Sequence, residues 1–291
     1  MKRKTIAVIG GDKRLYHMLR LLPQRSFCGA SYGLYIENYT DTAGKNAADI
    51  LPHCDIVIFG LPMLNPQGEI SAPLGINVPG LKEVFEHITP DTILFGGSVQ
   101  QSVLTLASRK KVEIFDYITR EEFAVRNAIP TAEGAVQLAL RGREATLYGA
   151  NCLVLGYGRI GKALTRLLLA FGASVTVAAR KPSDLEWIRL SGALPATMSS
   201  IDSILPGCDI IFNTVPALLL DEQRLCSLLP ECMVIDLASL PGGVDVPAAK
   251  RLGILAEQAL SLPGKLAPAS AGKIILDTIE NILTERGFIH E

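Results

Sequence analysis

Leu153-Val-Leu-Gly156-Tyr-Gly158-Arg-Ile-Gly161-Lys-Ala-Leu164 is the stretch that decides the reading of this chain. An apolar strand pattern runs into Gly156, and an amphipathic helical pattern over 160–171 leaves Gly161. A second strand is predicted at 174–178. Strand, glycine-rich turn, helix and strand in this order mark a dinucleotide-binding unit, whereas the three glycines alone would be weak. Gly156 allows the tight turn, Gly158 lets backbone approach a pyrophosphate, and Gly161 lets the helix pack on the strand. Tyr157, Arg159 and Ile160 fill the turn and the first helical positions, where free N–H groups and a positive dipole end face the phosphates.

The end of the second strand discriminates between dinucleotides. A site for NAD places Asp or Glu there, to accept hydrogen bonds from the ribose. This chain has Ala178-Ala-Arg180-Lys181-Pro-Ser183 instead. Arg180 can stack on adenine and pair with a 2′-phosphate through its planar fork, with Lys181 and Ser183 beside it. The cofactor expected is NADP, with NAD less favoured. Asn213-Thr214-Val215-Pro216 ends the next strand and is expected to face the ribose and nicotinamide, because ligands sit outside the carboxyl ends of strands. Asp236 to Ser239 is expected on the same rim.

Outward from this motif the whole chain alternates strand and helix. Strand patterns at 5–10, 32–36, 55–59, 92–95 and 112–115 alternate with helical ones at 13–22, 81–87 and 100–108. A second series continues to about 256, and a final helix is predicted from about 270 to 284 with an apolar face of Ile274, Ile275, Thr278 and Ile282. Such alternation implies parallel sheets covered on both faces. The fold class expected is α/β, with two Rossmann-like domains, a linking helix and a C-terminal return helix. The expected bounds are 1–128 together with a C-terminal helix at 268–288 for the substrate-side domain, and 129–267 for the NADP-binding domain.

Composition excludes several classes of function. Of the 291 residues 48% are hydrophobic and 20% charged, which suits packed cores rather than disorder. A net charge of -1 offers no basic excess for nucleic acid. No apolar stretch approaches the ~20 residues of a membrane span. The six cysteines form no Cys-x-x-Cys pair, and the four histidines have no metal-ligand spacing, so reduced thiols, no metal and a cytoplasmic location are expected.

Candidates on the substrate side are loops expected to converge on a cleft between the domains. Ser98 follows Gly96-Gly97 at a strand end. Asn127-Ala-Ile-Pro-Thr131-Ala-Glu133-Gly134 leads into the predicted linking helix, with Thr131 as N-cap and Glu133 in the first turn. Capping explains both residues as well as a substrate role does. Leu262-Pro-Gly-Lys265-Leu-Ala-Pro-Ala-Ser270-Ala-Gly272 reads as a loop opening the last helix, suited to hold a carboxylate through Lys265.

At these motifs the sequence resembles the dipicolinate synthase A subunits of spore-forming bacteria. The resemblance spans nearly the whole chain and rests on Ile9-Gly-Gly-Asp12, Asn127 to Gly134, Gly156 to Gly161, and Pro263 to Gly272. It implies oxidation of a dihydrodipicolinate-level intermediate of the lysine pathway to dipicolinate during sporulation, with hydride passing to NADP. It also implies a partner, a flavoprotein-like B subunit, and a mother-cell location. A dicarboxylate substrate requires cations or N–H groups; Lys265, Arg14 and the helix starts near Thr131 and Ser270 are candidates. Glu133 is the candidate proton acceptor, and Lys265 the second catalytic candidate. A homo-oligomer is expected. Two alternatives stay open: another NADP-dependent dehydrogenase acting on a hydroxy acid or shikimate-like substrate, and a non-catalytic subunit that senses NADP.

Overall fold

Ile6-Ala-Val-Ile9 and Ile56-Val-Ile-Phe59 are apolar at every position, and such strands are stable only where both faces are covered. The computed structural model, which describes residues 4–25, 27–32, 47–75 and 78–289, places both within a parallel sheet. The elements begin β1 (Thr5–Ile9), α1 (Lys13–Leu19), β2 (Cys28–Tyr32), α2 (Ala47–Ile50), β3 (Ile56–Phe59), α3 (Leu81–His87), β4 (Ile93–Gly96), α4 (Gln101–Lys110) and β5 (Glu113–Asp116). Then follow α5 (Glu121–Gly142), β6 (Asn151–Leu155), α6 (Arg159–Ala170), β7 (Ser174–Ala179), α7 (Pro182–Leu190) and β8 (Leu194–Thr197). The chain continues through β9 (Ile210–Asn213), α8 (Glu222–Leu225), β10 (Met233–Asp236), α9 (Val246–Leu252), β11 (Leu255–Gln258), α10 (Leu262–Leu266) and α11 (Pro268–Glu285). Two compact units result: Met1–Ala124 with Ala267–Glu291, and Val125–Leu266.

The sheet of the first unit has the order β2-β1-β3-β4-β5, with every pair parallel. Alternation along the strands sorts side chains onto two faces. Ile6, Val8, Ile56, Ile58 and Phe95 pack with Leu15 and Met18 of α1 and with Ile275 and Ile279 of α11. Ala7, Ile9, Val57, Phe59 and Leu94 pack with Val84, Phe85 and Val103 of α3 and α4. α11 lies directly on α1: a Cβ at Gly272 would overlap the Arg14 carbonyl oxygen and come within 3.0 Å of the Met18 nitrogen. Ion pairs fasten the same helix, from Arg25 to Asp277 (2.8 Å) and Glu280 (2.7 Å), and from Arg120 to Glu285 (2.5 Å).

The sheet of the second unit, read from β8, has the order β8-β7-β6-β9-β10-β11, again all parallel. Counted within the unit this is the doubly wound dinucleotide-binding order, whose reversal falls between β6 and β9. Val154, Val177, Phe212 and Ile235 face Ala135, Leu164 and Leu168 of α5 and α6. Leu153, Leu155, Ile211 and Val234 face Leu225 and Ala248 of α8 and α9. No helix among the described residues is long and apolar enough to cross a membrane, and no cluster of His, Cys, Asp and Glu among them is placed to hold a metal ion.

The architecture is the expected one of two parallel-sheet α/β units, but several local expectations need correction. The linking helix starts at Glu121, not Thr131, and carries Pro130 inside it. Its start is set by Glu121 and Glu122 in the first turn, where carboxylates are favoured. Thr131 is therefore no N-cap; its hydroxyl donates to the Asn127 carbonyl one turn back, at 2.8 Å. Residues 262–266 form a short helix rather than a loop, and Ser270 is the third residue of α11, whose N-cap is Ala267. The second strand lies at Cys28–Tyr32, and the rest of the stretch expected there, 33–36, lies outside the described residues. β8 was not expected from the sequence; with Pro195 inside it and a place at the sheet edge, it lacks the apolar run that marks the central strands.

Burial raises the thiols of Cys54 and Cys208 to about 11 and those of Cys152 and Cys232 to about 12, so their thiolate fraction is negligible at pH 8. Cys226 is exposed. A thiol reagent at pH 8 is expected to label Cys226 rapidly and these four only on unfolding. Gly272→Ala is expected to lower stability in denaturant titration by about 1–3 kcal/mol through overpacking. Gly207→Ala, where a Cβ meets no atom within 4 Å, is expected to stay within about 0.5 kcal/mol of the parent.

Candidate cofactor turn and active-site rims

Each glycine of the motif meets a different constraint. Gly156 has φ +97°, a conformation that side chains disfavour, and its N–H donates to the Ala178 carbonyl of β7 at 2.9 Å. A Cβ there would also meet the Thr214 hydroxyl at 2.5 Å. A Cβ on Gly161 would fall onto the Gly156 carbonyl, because the first turn of α6 packs directly on the turn. Gly158 differs from both: its φ is -76° and a Cβ would meet open space. The protein itself therefore makes no demand for glycine at 158. A ligand approaching the backbone would make one. Gly158 is also the N-cap of α6, offering no side-chain acceptor to the N–H groups of its first turn. Tyr157 flanks the turn, with Lys162 Nζ 5.6 Å from the centre of its ring, and Ile160 packs on the core beneath.

Arg180 follows the last residue of β7 and is exposed, with no ion pair or hydrogen bond to any described residue. Lys181 is the N-cap of α7, and Ser183 is the second residue of that helix. No carboxylate stands at this strand end, which carries two cations and a hydroxyl instead.

The rim after β9 is built by a buried polar network. Asn213 has zero exposure. Its Nδ2 donates to the Val215 carbonyl (2.9 Å) and to Asp236 Oδ1 (2.8 Å), while the Val215 N–H donates to its Oδ1 (3.1 Å). Asp236 also accepts from the N–H groups of Ala238 (3.2 Å) and Gly243 (2.9 Å). Asn213 thus shapes the turn from within, which corrects its expected place on the ligand side. The Thr214 hydroxyl is turned inward to the Leu155 carbonyl at 2.8 Å. Val215 is half-buried and Pro216 exposed, leaving these two to face outward. Sequence reasoning placed Asp236 on the rim but missed its pairing with Asn213; two polar residues ending adjacent parallel strands were the available signal.

The catalytic candidates are more dispersed. Glu133 is exposed in the middle of α5, not in a first turn. Lys265 is exposed on α10, which packs on α5 where a Cβ on Gly134 would lie 3.1 Å from Leu262 and Leu266. The motifs around Glu133 and Lys265 therefore meet. Asn127 is half-buried on α5, and Thr131 is buried. Ser98 and Ser270 belong to the other unit, Ser98 on the rim after β4 and Ser270 in the first turn of α11.

The glycine constraints separate fold from ligand binding. Gly158→Ala is expected to leave stability within about 0.5 kcal/mol of the parent. It should nonetheless weaken nicotinamide dinucleotide binding by roughly tenfold or more in calorimetry, since the added methyl stands where the pyrophosphate must approach. Gly161→Ala, which strikes backbone, should lower the unfolding midpoint first.

Comparison with known proteins agrees with this geometry. Residues 5–118 match the N-terminal domain of dipicolinate synthase A subunits, and residues 118–238 match the NAD binding domain of D-isomer specific 2-hydroxyacid dehydrogenases. The dipicolinate synthase A subunit of Bacillus subtilis (strain 168) is 32% identical over 287 residues, covering 96% of each chain. The crystal structure of the Bacillus halodurans dipicolinate synthase A subunit superposes with a TM-score of 0.86 at 27% identity, over 97% of this chain and 99% of that one. The Bacillus subtilis dipicolinate synthase crystal structure gives 0.87 at 29%, over 99% and 98%. Transhydrogenase from Sinorhizobium meliloti shares the fold alone, with a TM-score of 0.70 at 16% identity over 97% and 94%. With its glycine turn and nicotinamide-binding unit, the chain belongs to the dipicolinate synthase A-subunit family of NAD(P)-dependent oxidoreductases.

Proposed function

We propose that this chain oxidises a dihydropyridine dicarboxylate at the dihydrodipicolinate level to dipicolinate, using NADP in preference to NAD. Family membership supports the substrate class, and a single observation carries the coenzyme preference. The end of β7 presents Arg180 and Lys181, with no carboxylate to meet a ribose 2′-hydroxyl. A guanidinium fork suits a 2′-phosphate, because it donates two parallel N–H bonds while remaining charged. When held at the turn, the coenzyme would supply the hydride acceptor.

The chain's own residues then have three tasks. The Gly156–Gly161 turn and the first amides of α6 hold the pyrophosphate. Val215 and Pro216 line the rim beyond β9, where a doubly wound sheet receives the nicotinamide half. A proton must leave the ring with the hydride. Glu133 is the acceptor proposed, since its exposed carboxylate is accessible to a substrate. Lys265, Ser98, Asn127, Thr131 and Ser270 are proposed contributors to substrate binding; among them Lys265 supplies charge, and Thr131 acts through the α5 backbone it bonds. The partner proposed is a flavoprotein-like B subunit, together with self-association of this chain. The event is placed in the mother cell of a sporulating bacterium, on a branch of the lysine pathway.

Absorbance at 340 nm with a dihydrodipicolinate-level substrate, with and without the B partner, tests the reading directly. NADP reduction is expected; its absence under both conditions would remove the proposed activity. Arg180→Ala should weaken NADP binding roughly tenfold while leaving NAD within twofold, in line with loss of a charge-assisted pair. Equal effects on both coenzymes would overturn the preference. Glu133→Gln should lower kcat by about 100-fold at unchanged KM, and retained turnover would take the proton from Glu133.

A further inference from the structure

The first unit has its own ligand position, and its occupant can be read from one arginine. In the sheet order β2-β1-β3-β4-β5 the direction of winding reverses between β1 and β3, and open parallel sheets bind ligands beyond the strand ends at such a point. The loops there pack closely at their glycines. A Cβ on Gly60 would lie 2.9 Å from Gly11 Cα, and one on Gly97 would lie 2.8 Å from the Leu61 side chain and Tyr117 Oη. Backbone at Gly11 and the Leu61 and Tyr117 side chains thus fill the floor of this rim.

Arg14 stands on it. The residue is 9% exposed, and its guanidinium is fixed on one side. Nε donates to both Asp12 oxygens (3.0 Å each), and Nη2 donates to Asp12 Oδ2 (2.7 Å) and to the Leu61 carbonyl. Nη1 has no partner among the described residues. It is also not sealed in, since Arg143 Nη1 is the one buried side-chain nitrogen or oxygen without a hydrogen bond among them. A purely structural pair with Asp12 explains Nε and Nη2. It leaves unexplained why a side chain so deeply held keeps Nη1 without a partner among the described residues.

The neighbouring loop supplies a second donor. Because Arg14 reaches the Leu61 carbonyl, its guanidinium lies over the end of β3, one strand spacing of about 4.8 Å from β4. Ser98 follows β4 with φ 59°, a conformation that non-glycine residues adopt at a cost and that clusters at functional sites. Asp116 holds it there, accepting from the N–H groups of Ser98 (3.1 Å) and Val99 (2.8 Å), while the Ser98 hydroxyl is exposed and has no partner among the described residues. Tyr117, beside them, is no acid or base: burial pushes its phenol far above the ordinary range, and its hydroxyl donates to the Phe59 carbonyl at 3.2 Å.

We infer that Arg14 binds a carboxylate of the substrate through Nη1, as a specificity-determining residue positioned by Asp12 and the Leu61 carbonyl. The inference rests on the dicarboxylate reading above. The exposed Ser98 hydroxyl, at the end of the adjacent strand, is the donor assigned to the second carboxylate. Asp12 offsets most of the arginine's field, and affinity comes from directed hydrogen bonds at a site held rigid before binding.

Calorimetry on the full chain with saturating NADP tests the assignment, with pyridine-2,6-dicarboxylate as probe. Arg14→Gln and Arg14→Lys should each weaken the dicarboxylate by roughly tenfold or more, the lysine because it lacks the fork. NADP affinity should stay within twofold, and Arg14→Lys should raise KM far more than it lowers kcat. Dicarboxylate affinity within twofold of the parent in either variant would overturn the proposal, as would failure of the parent to bind the probe. Should the variants not fold, crystals of the unaltered chain soaked with the probe decide: a carboxylate on Arg14 Nη1 supports the site, and a probe seated elsewhere refutes it. Arg14-dependent binding without turnover would remove the proposed reaction and keep the site. Turnover at unchanged affinity in the variants would do the reverse.

Discussion

The contact on which the second unit depends is the one between the first turn of α6 and the carbonyl of Gly156. With hydrogen in place of a side chain at Gly161, the helix start comes down onto the strand end. The same approach brings the Gly156 N–H to β7 and the Thr214 hydroxyl to the Leu155 carbonyl, so three strands share one knot of backbone bonds. A methyl group inserted there would lift α6 from the sheet and move its amides away from any phosphate. Whatever these amides bind would therefore depend on main-chain packing.

The two units solve the same rim problem with different chemistry. In the second, the rim beyond β9 and β10 is locked by Asn213 and Asp236, both fully inside and both satisfied by neighbours. A neutral amide and a carboxylate that accept and donate only to protein give rigidity without a field directed at solvent. In the first, the rim beyond β1 and β3 is organised around a charged pair, Arg14 with Asp12, and one guanidinium nitrogen remains available. Rigid positioning costs less on binding when it has been completed during folding.

Most of the fold was legible in the sequence because strands covered on both faces carry unbroken apolar runs, as β1, β3, β6, β9 and β10 do apart from a polar residue at one end of β1, β6, β9 and β10. The glycine turn was legible because Gly156 and Gly161 answer steric demands at one strand–helix junction, and Gly158 completes the spacing of the motif. Reading failed where the demand came from farther away. Pro130 and Thr131 looked like a helix start, but Glu121 and Glu122 in the first turn and the packing of Phe123 start α5 earlier and carry it through them. β8 was invisible because an edge strand needs only one covered side and tolerates Pro195. Asn213 looked outward from its place at a strand end, and only the position of Asp236, twenty-three residues on, turns it in. Gly272 was quoted for family likeness alone, while its physical reason is the backbone of Arg14, far away in the chain.

The docking of α11 on α1 also orders events in time. The core beneath β1 and β3 contains Ile274, Ile275, Ile279 and Leu283, which leave the ribosome after all of the second unit. Domains generally fold as units during synthesis, the earlier-made first. Here the sequence of events is inverted: the later-made unit has its full complement of residues while the earlier one still lacks a wall. A chain cut short before Pro268 would carry a nucleotide-binding half with its core intact and an amino-terminal half with a bare apolar face, the kind of surface that quality-control proteases recognise.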